Sequence, residues 1–289
     1  MLYRNIAKPF FFKMDPEKAH HLVVGGLEKS SVLPGGRAAL RLMYGVPESA
    51  DLAMDLFGQH FPTPVGLAAG LDKNAQAVAG FSSIGFGFME VGTVTPKGQP
   101  GNESPRLFRL PSDEALINRM GFNNEGAESM AQRLKKIKKR PIPIAVNIGR
   151  NKATGNEAAH EDYRQCIRTL YPYGDFFVVN ISSPNTPDLR SLQHGSELSF
   201  LLTQVKEEME LQRQATGISK SLLVKIAPDV SASELEYMVH TLTETGMDGI
   251  IATNTTVRRE GLNHSSAGET GGLSGKPLRD RSTEIIRSI

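Results

Sequence analysis

An α/β fold of the (β/α)8 TIM-barrel type is predicted by three features of the sequence. These are the chain length, an alternation of strand-like and helix-like segments, and polar residues where the strands end. The 289 residues suffice for one large domain or two modest ones. Hydrophobic residues make up 39% and charged residues 22%, as in ordinary globular proteins with a packed core. The sequence therefore predicts a barrel preceded by a smaller helical part.

Charge and cysteine content exclude several classes of protein. The chain has 33 Lys and Arg against 31 Asp and Glu, a net charge of +2, which argues against a nucleic-acid-binding protein. A single cysteine, Cys166, excludes an internal disulfide framework and indicates a reducing compartment. No apolar run approaches the roughly 18–20 residues that span a bilayer, and the first residues lack the apolar segment of a secretory signal. We therefore expect a cytoplasmic chain, and contact with a membrane surface stays open.

The first predicted element is a helical extension within residues 1–45. Apolar residues recur near helical spacing at its start: Leu2, Ile6, Phe10 and Phe11. The string D-P-E-K then predicts a helix start, with Asp15 as the N-cap and Pro16 at the first helical position. Pro34-Gly35-Gly36 ends that helix, and residues 38–44 predict another short one.

Two interpretations of this extension remain open on the pattern alone. Its amphipathic helices can lie in a membrane interface or admit a lipophilic ligand. They can equally be surface helices packed on the bottom of the barrel, since amphipathic patterns are usual for such helices.

The barrel strands are predicted by six apolar runs, at residues 64–70, 88–95, 142–149, 176–183, 222–228 and 249–256. Continuous apolar runs are typical of parallel strands that are buried on both faces. Helical patterns lie between them, at 125–139, at 197–214, and from Ser231 or Ser233 to Thr245. This alternation predicts βα units joined into a parallel sheet.

Each run ends in polar residues: Lys73, Thr93, Asn147, Asn180 with Ser183, Lys225, and Asn254 with Thr255. The carboxyl ends of parallel strands meet at one rim, where barrel enzymes build their active sites. A doubly wound sheet draws its site mainly from the strands at a switch point, so six contributing strands favour the barrel. The G-x-G-x-x-G dinucleotide fingerprint is absent.

The chemistry available at this rim indicates redox work carried by a cofactor. The string N-I-S-S-P-N-T at 180–186 places Ser183 before Pro184 in a restricted turn; alternatively, its Ser and Asn residues only cap local backbone. Zinc motifs of the H-E-x-x-H and C-x-x-C kinds are absent, and the nearest carboxylates are Asp72 and Asp229. Two lysines and a set of amides remain, which suit the N–H and C=O edges of a pyrimidine or a flavin.

Two other features receive simpler interpretations. The basic run K-K-I-K-K-R at 135–140 complements the C-terminal end of a helix on a solvated face, with phosphate or lipid binding as the alternative. Cys166 falls within a helical pattern and is expected to be an inert, small apolar group.

Nine motifs, in order along the chain, carry a resemblance to a known family. They are A-A-G-L-D-K (68–73), V-G-T-V-T-P-K-G-Q-P-G-N (91–102), R-L-F-R-L-P (106–111), N-R-M-G-F-N-N (118–124), N-I-G-R-N-K (147–152), N-I-S-S-P-N-T (180–186), V-K-I-A-P-D (224–229), A-T-N-T-T (252–256) and G-G-L-S-G (271–275). Together they resemble the quinone-dependent (class 2) dihydroorotate dehydrogenases over nearly the whole chain. Members of that class use serine as the catalytic base, where soluble relatives carry cysteine, and they have a helical N-terminal extension.

The resemblance implies an enzyme that oxidises (S)-dihydroorotate to orotate in de novo pyrimidine (UMP) biosynthesis. FMN would accept the hydride and a membrane quinone would be the final electron acceptor. Residues 1–45 would form the quinone tunnel and lie on the membrane, and 46–289 would form the FMN-binding barrel. The protein would be peripheral, on the cytoplasmic face of the cell membrane; its oligomeric state is not indicated.

The resemblance also implies roles for single residues. Ser183 would be the base, with Thr186 as the nearest candidate to relay its proton. The expected FMN contacts are Ala69, Gly70, Thr93, Asn147, Asn180, Lys225, Thr253 and Gly275. The expected substrate contacts are Lys73, Asn118, Arg119, Met120, Gly121, Phe122, Asn180, Asn185, Asn254 and Thr255. No metal ligand is implied.

The last part of the sequence departs from the family pattern. Residues 277–289 are predicted as the helix after the sixth strand, and a complete barrel would continue with two further βα units. We therefore expect the printed sequence to lack that part of the barrel, including the loops that hold the FMN phosphate. The alternatives to the enzyme are a non-catalytic, membrane-associated flavin- or pyrimidine-binding remnant and another FMN-dependent barrel oxidoreductase.

Overall fold

The structure is a computed structural model that describes residues 5, 7–138 and 140–289. Leu2 and Ile6 of the predicted first helix, and Lys139 of the basic run, lie outside the described residues. In chain order the first elements are α1 (Lys8–Phe12), α2 (Pro16–Val32), α3 (Gly36–Tyr44), β1 (Met54–Leu56), β2 (Gln59–Phe61), β3 (Gly66–Leu67), α4 (Val78–Phe81), β4 (Phe88–Val94), β5 (Lys97–Gln99), β6 (Leu107–Leu110), β7 (Ala115–Asn118) and β8 (Asn124–Gly126). They are followed by α5 (Ala127–Lys135), β9 (Ile144–Ile148), α6 (Ala159–Leu170), β10 (Phe176–Asn180), α7 (Gly195–Thr216), β11 (Leu222–Ile226), α8 (Ala232–Glu244), β12 (Gly249–Ala252), β13 (Gly272–Gly275) and α9 (Lys276–Ser288).

Six strands form the central sheet, in the order β12-β11-β10-β9-β4-β3. All neighbouring pairs are parallel, with Val178 opposite Asn147 and Val179 opposite Val224. The six predicted apolar runs are therefore the six strands, and helices separate them as in a TIM barrel. In the described part of the chain the parallel sheet has these six strands, with β3 and β12 at its edges.

The core lies on both faces of this sheet. Outward-facing side chains such as Phe177 and Val179 pack against the helices, and both are fully buried. Inward-facing Phe176 and Val178 pack in a second cluster with Phe61 of β2. The β1–β2 hairpin thus fills the interior near the amino ends of the strands. Burial on both faces explains why the strands are continuous apolar runs rather than alternating ones.

The extension begins as the sequence predicts. Asp15 caps α2, because its Oδ1 accepts a hydrogen bond of 2.9 Å from the Lys18 amide, and Pro16 is the first helical residue. The helix α2 packs against α4 and β6, and its Ala19 and Val23 line a cavity at the carboxyl ends of the strands. The first turns of α2 therefore lie at the carboxyl rim rather than at the bottom of the barrel, while its Leu27 packs on Gly80 of α4. Among the described residues, none of the helices is both long enough and apolar enough to cross a bilayer.

A second, antiparallel sheet was missed by the sequence analysis. Strand β7 lies between β6 and β13, with Leu107 and Gly272 both opposite Asn118. These strands are only four residues long, and two of them lie in a connection between barrel strands. Their pairing brings the segment at 118–122 next to the segment at 271–275, although about 150 residues separate them in sequence.

The basic run begins at a helix end, as expected: Lys135 is the last residue of α5, Lys136 is its C-cap, and both are exposed. The rest of the run belongs to the connection into β9, at the end of the barrel opposite the cavity. Arg140 pairs with Asp175, whose Oδ2 also accepts from the Ile144 amide at 2.8 Å. Arg140 therefore fixes a strand start instead of facing solvent. Cys166 lies in α6 with no exposed surface, and burial raises the pKa of its thiol, as expected for an inert residue.

Candidate active site

A cavity of about 1200 Å³ lies at the carboxyl ends of the parallel strands, beneath α1 and α2. Most of the predicted site residues line it: Ala69, Gly70, Lys73, Thr93, Asn118, Met120, Gly121, Phe122, Asn180, Ser183, Asn185, Lys225, Thr253, Asn254, Thr255 and Gly275. The structure therefore brings together at one rim residues from segments far apart in the sequence. Two predicted residues, Asn147 and Arg119, do not line the cavity.

Asn147 is fully buried beneath the floor of the cavity. Its Oδ1 accepts a hydrogen bond from the Thr93 hydroxyl, and the Thr93 Oγ1 accepts one of 2.9 Å from Asn180 Nδ2. Asn147 thus orients two residues that do face the cavity.

Glu90 is a functional candidate that the sequence analysis missed. It is 4% exposed; its Oε1 accepts from Asn147 Nδ2 at 2.6 Å and its Oε2 from the Ala69 amide at 3.0 Å. The Lys225 ammonium lies 3.4 Å from the same Oε2. Glu90 therefore holds Lys225 in place on the cavity floor. A lone charged residue inside the apolar run F-M-E-V-G was the signal that could have found it.

Asp72 and Asp229, which the sequence suggested as the rim carboxylates, have structural contacts instead. The two oxygens of Asp72 accept 2.8 Å hydrogen bonds from the amides of Gln76 and Ala77. Asp229 pairs with Arg190 at 2.9 Å and accepts from the Val257 amide at 3.0 Å. Both carboxylates therefore stabilise the backbone of loops at the rim through hydrogen bonds.

Lys73 provides a cation within reach of a bound ligand. Its Nζ donates to the Gly70 carbonyl at 2.6 Å. Burial lowers the pKa of this ammonium to about 8, with the Glu17 carboxylate opposing the shift and the Arg106 charge adding to it. Burial and the charge of Lys73 also lower the pKa of His20, on α2, to about 4. At neutral pH the cavity therefore has a charged Lys73 and a neutral His20.

The Ser183 loop is held by amide side chains. Ser183 is 6% exposed, and its Oγ accepts a hydrogen bond of 3.2 Å from the backbone N–H of Asn185. Asn185 Nδ2 donates to the Asn118 carbonyl at 3.0 Å, and Asn254 Nδ2 donates to Ser182 Oγ at 2.9 Å. The loop is therefore tied to two other walls of the cavity.

Thr186 does not relay a proton through a direct hydrogen bond in this structure. Its hydroxyl is buried and has no hydrogen-bond partner among the described residues. A contact between its Oγ1 and Ser183 would require a change in the side-chain position.

Arg119 points away from the cavity. Its guanidinium lies 4.5 Å from the centre of the Phe108 ring, and Nη1 lies 2.7 Å from Glu269 Oε2. The arginine of N-R-M-G-F therefore fastens the loop between β12 and β13, while Met120, Gly121 and Phe122 of the same motif line the cavity.

The cavity can accommodate a planar ring with N–H and C=O edges. Gly70 has a φ of +107°, and a Cβ there would project into open space, so the backbone can approach a ligand closely. Lys225, Thr93 and Asn180 supply a cation, a hydroxyl and an amide on the same wall. The volume of about 1200 Å³ exceeds the roughly 300–1000 Å³ of a typical small-molecule site and has room for two ligands side by side.

Comparison with known proteins identifies the family. The family model for dihydroorotate dehydrogenase matches residues 51–289. A protein of Deinococcus deserti named dihydroorotate dehydrogenase (quinone) is 50% identical over 287 residues, covering 99% of this chain and 79% of the relative. One of the same name from Thermus thermophilus is 47% identical, covering 97% of this chain and 79% of the relative.

A solved structure agrees with these relatives. The crystal structure of DHODH from Eimeria tenella in complex with ferulenol superimposes with a TM-score of 0.86 at 40% identity, covering 95% of this chain and 76% of that one. This likeness confirms the barrel predicted from the sequence. The chain thus belongs to the quinone-dependent dihydroorotate dehydrogenases, a family of oxidoreductases.

Proposed function

We propose that this chain oxidises (S)-dihydroorotate to orotate in pyrimidine biosynthesis, with FMN as hydride acceptor and a membrane quinone as the final electron acceptor. The observation that carries the proposal is one cavity that combines Ser183, Lys73 and a set of amides on its polar walls with the apolar helices α1 and α2. The identity of about 50% to quinone-dependent relatives disfavours both a non-catalytic remnant and another type of barrel oxidoreductase.

The donor set on the cavity floor supports the assignment of FMN. Ala69, Gly70, Thr93, Asn180, Lys225, Thr253 and Gly275 would contact it, and Asn147 would act through Thr93 and Asn180. The bound flavin supplies a hydride acceptor. Lys225, positioned by Glu90, would favour negative charge on the ring, since a buried cation stabilises an anion strongly.

The substrate would bind against the opposite wall. Lys73 would pair with its carboxylate, because this ammonium is charged at neutral pH and has no carboxylate ion-pair partner among the described residues. The amides of Asn118, Asn185 and Asn254, with Thr255, would meet the N–H and C=O edges of the ring. Met120, Gly121 and Phe122 would complete this wall, and Arg119 would support it from outside.

Ser183 would take the proton from C5 of the substrate. A hydroxyl is a weak base at neutral pH, so as it takes the C5 proton it would pass its own proton on to water. Its Oγ accepts a hydrogen bond from the backbone N–H of Asn185, so the hydroxyl hydrogen stays free to donate to another acceptor. The following Pro184 restricts the turn and so limits motion of the oxygen.

The extension would deliver the quinone and contact the membrane. Phe11, Phe12 and Val23 provide an apolar approach to the cavity. Several apolar side chains of the extension face solvent, with Val32 78% and Leu42 89% exposed. An exposed apolar patch of this kind is typical of proteins that rest on a membrane interface. We place the protein on the cytoplasmic face of the cell membrane, as a peripheral protein.

The colour of the purified protein tests the proposal. A yellow protein whose flavin absorbance is bleached by dihydroorotate without oxygen, and restored by a quinone, is the expected result. A yellow protein that dihydroorotate does not bleach would indicate another flavin-dependent oxidoreductase. A colourless protein that gains no activity on addition of FMN would indicate the non-catalytic remnant.

A further inference from the structure

A shielded ion pair joins the N-terminal extension to the barrel. Glu17, in the first turn of α2, and Arg106, just before β6, have side chains that are only 14% and 13% exposed. Arg106 Nε lies 3.0 Å and Nη2 2.6 Å from Glu17 Oε1, a fork that fixes the direction of the guanidinium. Breaking such a pair by removing one partner leaves a poorly solvated charge.

The other side of the same guanidinium supports a loop of the barrel. Arg106 Nη1 donates to the carbonyl oxygens of Pro100 and Asn102, both at 2.7 Å. Gly101 between them has a φ of +79°, and a Cβ there would lie 2.3 Å from the Met120 carbonyl. The loop at 100–102 is therefore pressed against the segment that lines the substrate wall.

This loop in turn supports the Ser183 loop. Asn102 Nδ2 donates to the Arg119 carbonyl at 3.0 Å and to the Asn185 carbonyl at 3.2 Å. The Asn185 amide donates to Ser183 Oγ. Polar contacts thus run without a break from Glu17 on the extension to the hydroxyl of Ser183.

We propose that Glu17 and Arg106 are positioning residues through which the seating of α2 on the rim sets the affinity of the site for its pyrimidine ligand. This inference rests on the proposed function and extends it, since it gives the extension a part in substrate binding besides the delivery of quinone. Neither residue touches the substrate in this scheme; both act through the loops at 100–102 and 183–185.

The direction in which Glu17→Gln changes the affinity for orotate separates this link from a direct charge effect. Glu17 lies close enough to Lys73 for its charge to influence the pKa of that lysine. At pH 6.5 Lys73 stays protonated, so removing the nearby Glu17 carboxylate would by itself tighten binding of the orotate anion. Weaker binding at that pH is therefore opposite to the direct charge effect and indicates a change in the seating of α2 and the loops it supports.

The experiment is calorimetric titration of the FMN-loaded full chain with orotate at pH 6.5. Glu17→Gln should raise the orotate Kd about tenfold, which corresponds to about 1.4 kcal/mol. Glu28→Gln, on the same helix α2, is the matched control and should bind orotate as the wild type does. Arg106→Lys should weaken binding by a similar factor, because a compact ammonium lacks the planar fork whose Nε and Nη2 meet Glu17 while Nη1 meets the two carbonyl oxygens.

Hydrogen exchange gives a second readout that needs no ligand. In Glu17→Gln the backbone amides of Asn102 and Asn185, which donate to the Met120 carbonyl and to Ser183 Oγ, should exchange faster, while those of the central strands stay as in the wild type. Unchanged or tighter orotate binding by Glu17→Gln would overturn the inference, and so would uniform loss of protection across the chain. Failure of the wild type to bind orotate would count against the proposed function, and the exchange measurement would still decide the link between α2 and the loops.

Discussion

Two lysines of the cavity have different neighbours and therefore different tasks. Lys225 is held beside the buried carboxylate of Glu90, so its position is fixed before any ligand binds. Lys73 has a backbone carbonyl as its hydrogen-bond partner, and burial lowers its pKa to about 8. The charge on Lys73 is thus available for an anionic ligand and can be removed within an accessible pH range.

This difference predicts a pH dependence of orotate binding. Lys73 is protonated below its pKa and neutral above it, so affinity for the carboxylate should be constant near pH 6.5 and fall as the pH rises through about 8. The orotate Kd, measured by titration between pH 6 and 9, should approach a tenfold rise per pH unit at the alkaline end. Lys73→Gln should bind weakly and without this dependence.

Lys220 provides the control for that measurement. Burial lowers its pKa to about 8 as well, but its Nζ donates to the Gly174 carbonyl at the opposite end of the barrel. Lys220→Gln should keep the wild-type pH profile. A profile that flattens in Lys220→Gln and persists in Lys73→Gln would contradict the assignment.

The proposed base is tested by a single substitution. Ser183→Ala should slow reduction of the flavin by dihydroorotate at least ~10²-fold, as expected when acid–base catalysis is lost. Stopped-flow absorbance measures the rate, and Ser196→Ala, at an exposed serine in the first turn of α7, is the control. Reduction by Ser183→Ala at the wild-type rate would remove Ser183 from this role.

At the scale of elements, the start of α8 shows which of two possible caps the helix uses. Ser231 Oγ accepts from the Glu234 amide at 3.2 Å, and Glu234 Oε2 accepts from the Ser231 amide at 2.7 Å. This reciprocal pair is a capping box. Ser233 also has a glutamate three residues later, Glu236, but it lies inside the helix, and the structure forms the capping box at Ser231.

The capping box predicts that Ser231→Ala and Ser233→Ala change the free energy of unfolding by different amounts. Ser231→Ala should lower the free energy of unfolding by about 1 kcal/mol, since it leaves helix amides without a partner. Ser233→Ala should change it much less, because the Ser233 hydroxyl is exposed and contacts only Ser231 Oγ. Urea denaturation followed by circular dichroism measures both; equal effects would mean that the cap contributes little.

Across the whole molecule, the extension and the strand ends form one site. The helices α1 and α2 cover the carboxyl rim, and the connection that contains the basic run lies at the other end. A membrane surface that approached the exposed Phe10 and Phe12 of α1 would therefore face the cavity. The same placement argues against a lipid-binding role for the basic run in that contact.

Membrane contact by the extension is tested by a charge on its exposed face. Leu42→Glu should weaken association with vesicles of phosphatidylethanolamine and phosphatidylglycerol about tenfold or more, since burying a leucine contributes about 1.5–3 kcal/mol. Leu211→Glu, on α7, is the control, because Leu211 is also an exposed leucine but lies outside the extension. Equal sedimentation of both variants with vesicles would place the contact elsewhere.

Much of this architecture could be predicted because it depends on local pattern. Asp15 before Pro16 predicted the start of α2, and the apolar runs predicted six strands whose polar ends share a rim. The short strands β6, β7 and β13 could not be predicted in this way, since four residues carry little periodicity and their pairing spans about 150 residues.

The sequence by itself determined the class of fold, the rim that bears the site and the family, because strand burial and strand direction follow from local composition and order. Only the tertiary structure decided which polar residues face the cavity. Asp72 and Asp229 accept hydrogen bonds from backbone amides. Arg119 points away from the cavity, and Glu90 pairs with Lys225, which lies 135 residues further along the chain. The physical reason is that a side chain's partner is set by packing between distant segments, and the pattern around a single residue does not specify it.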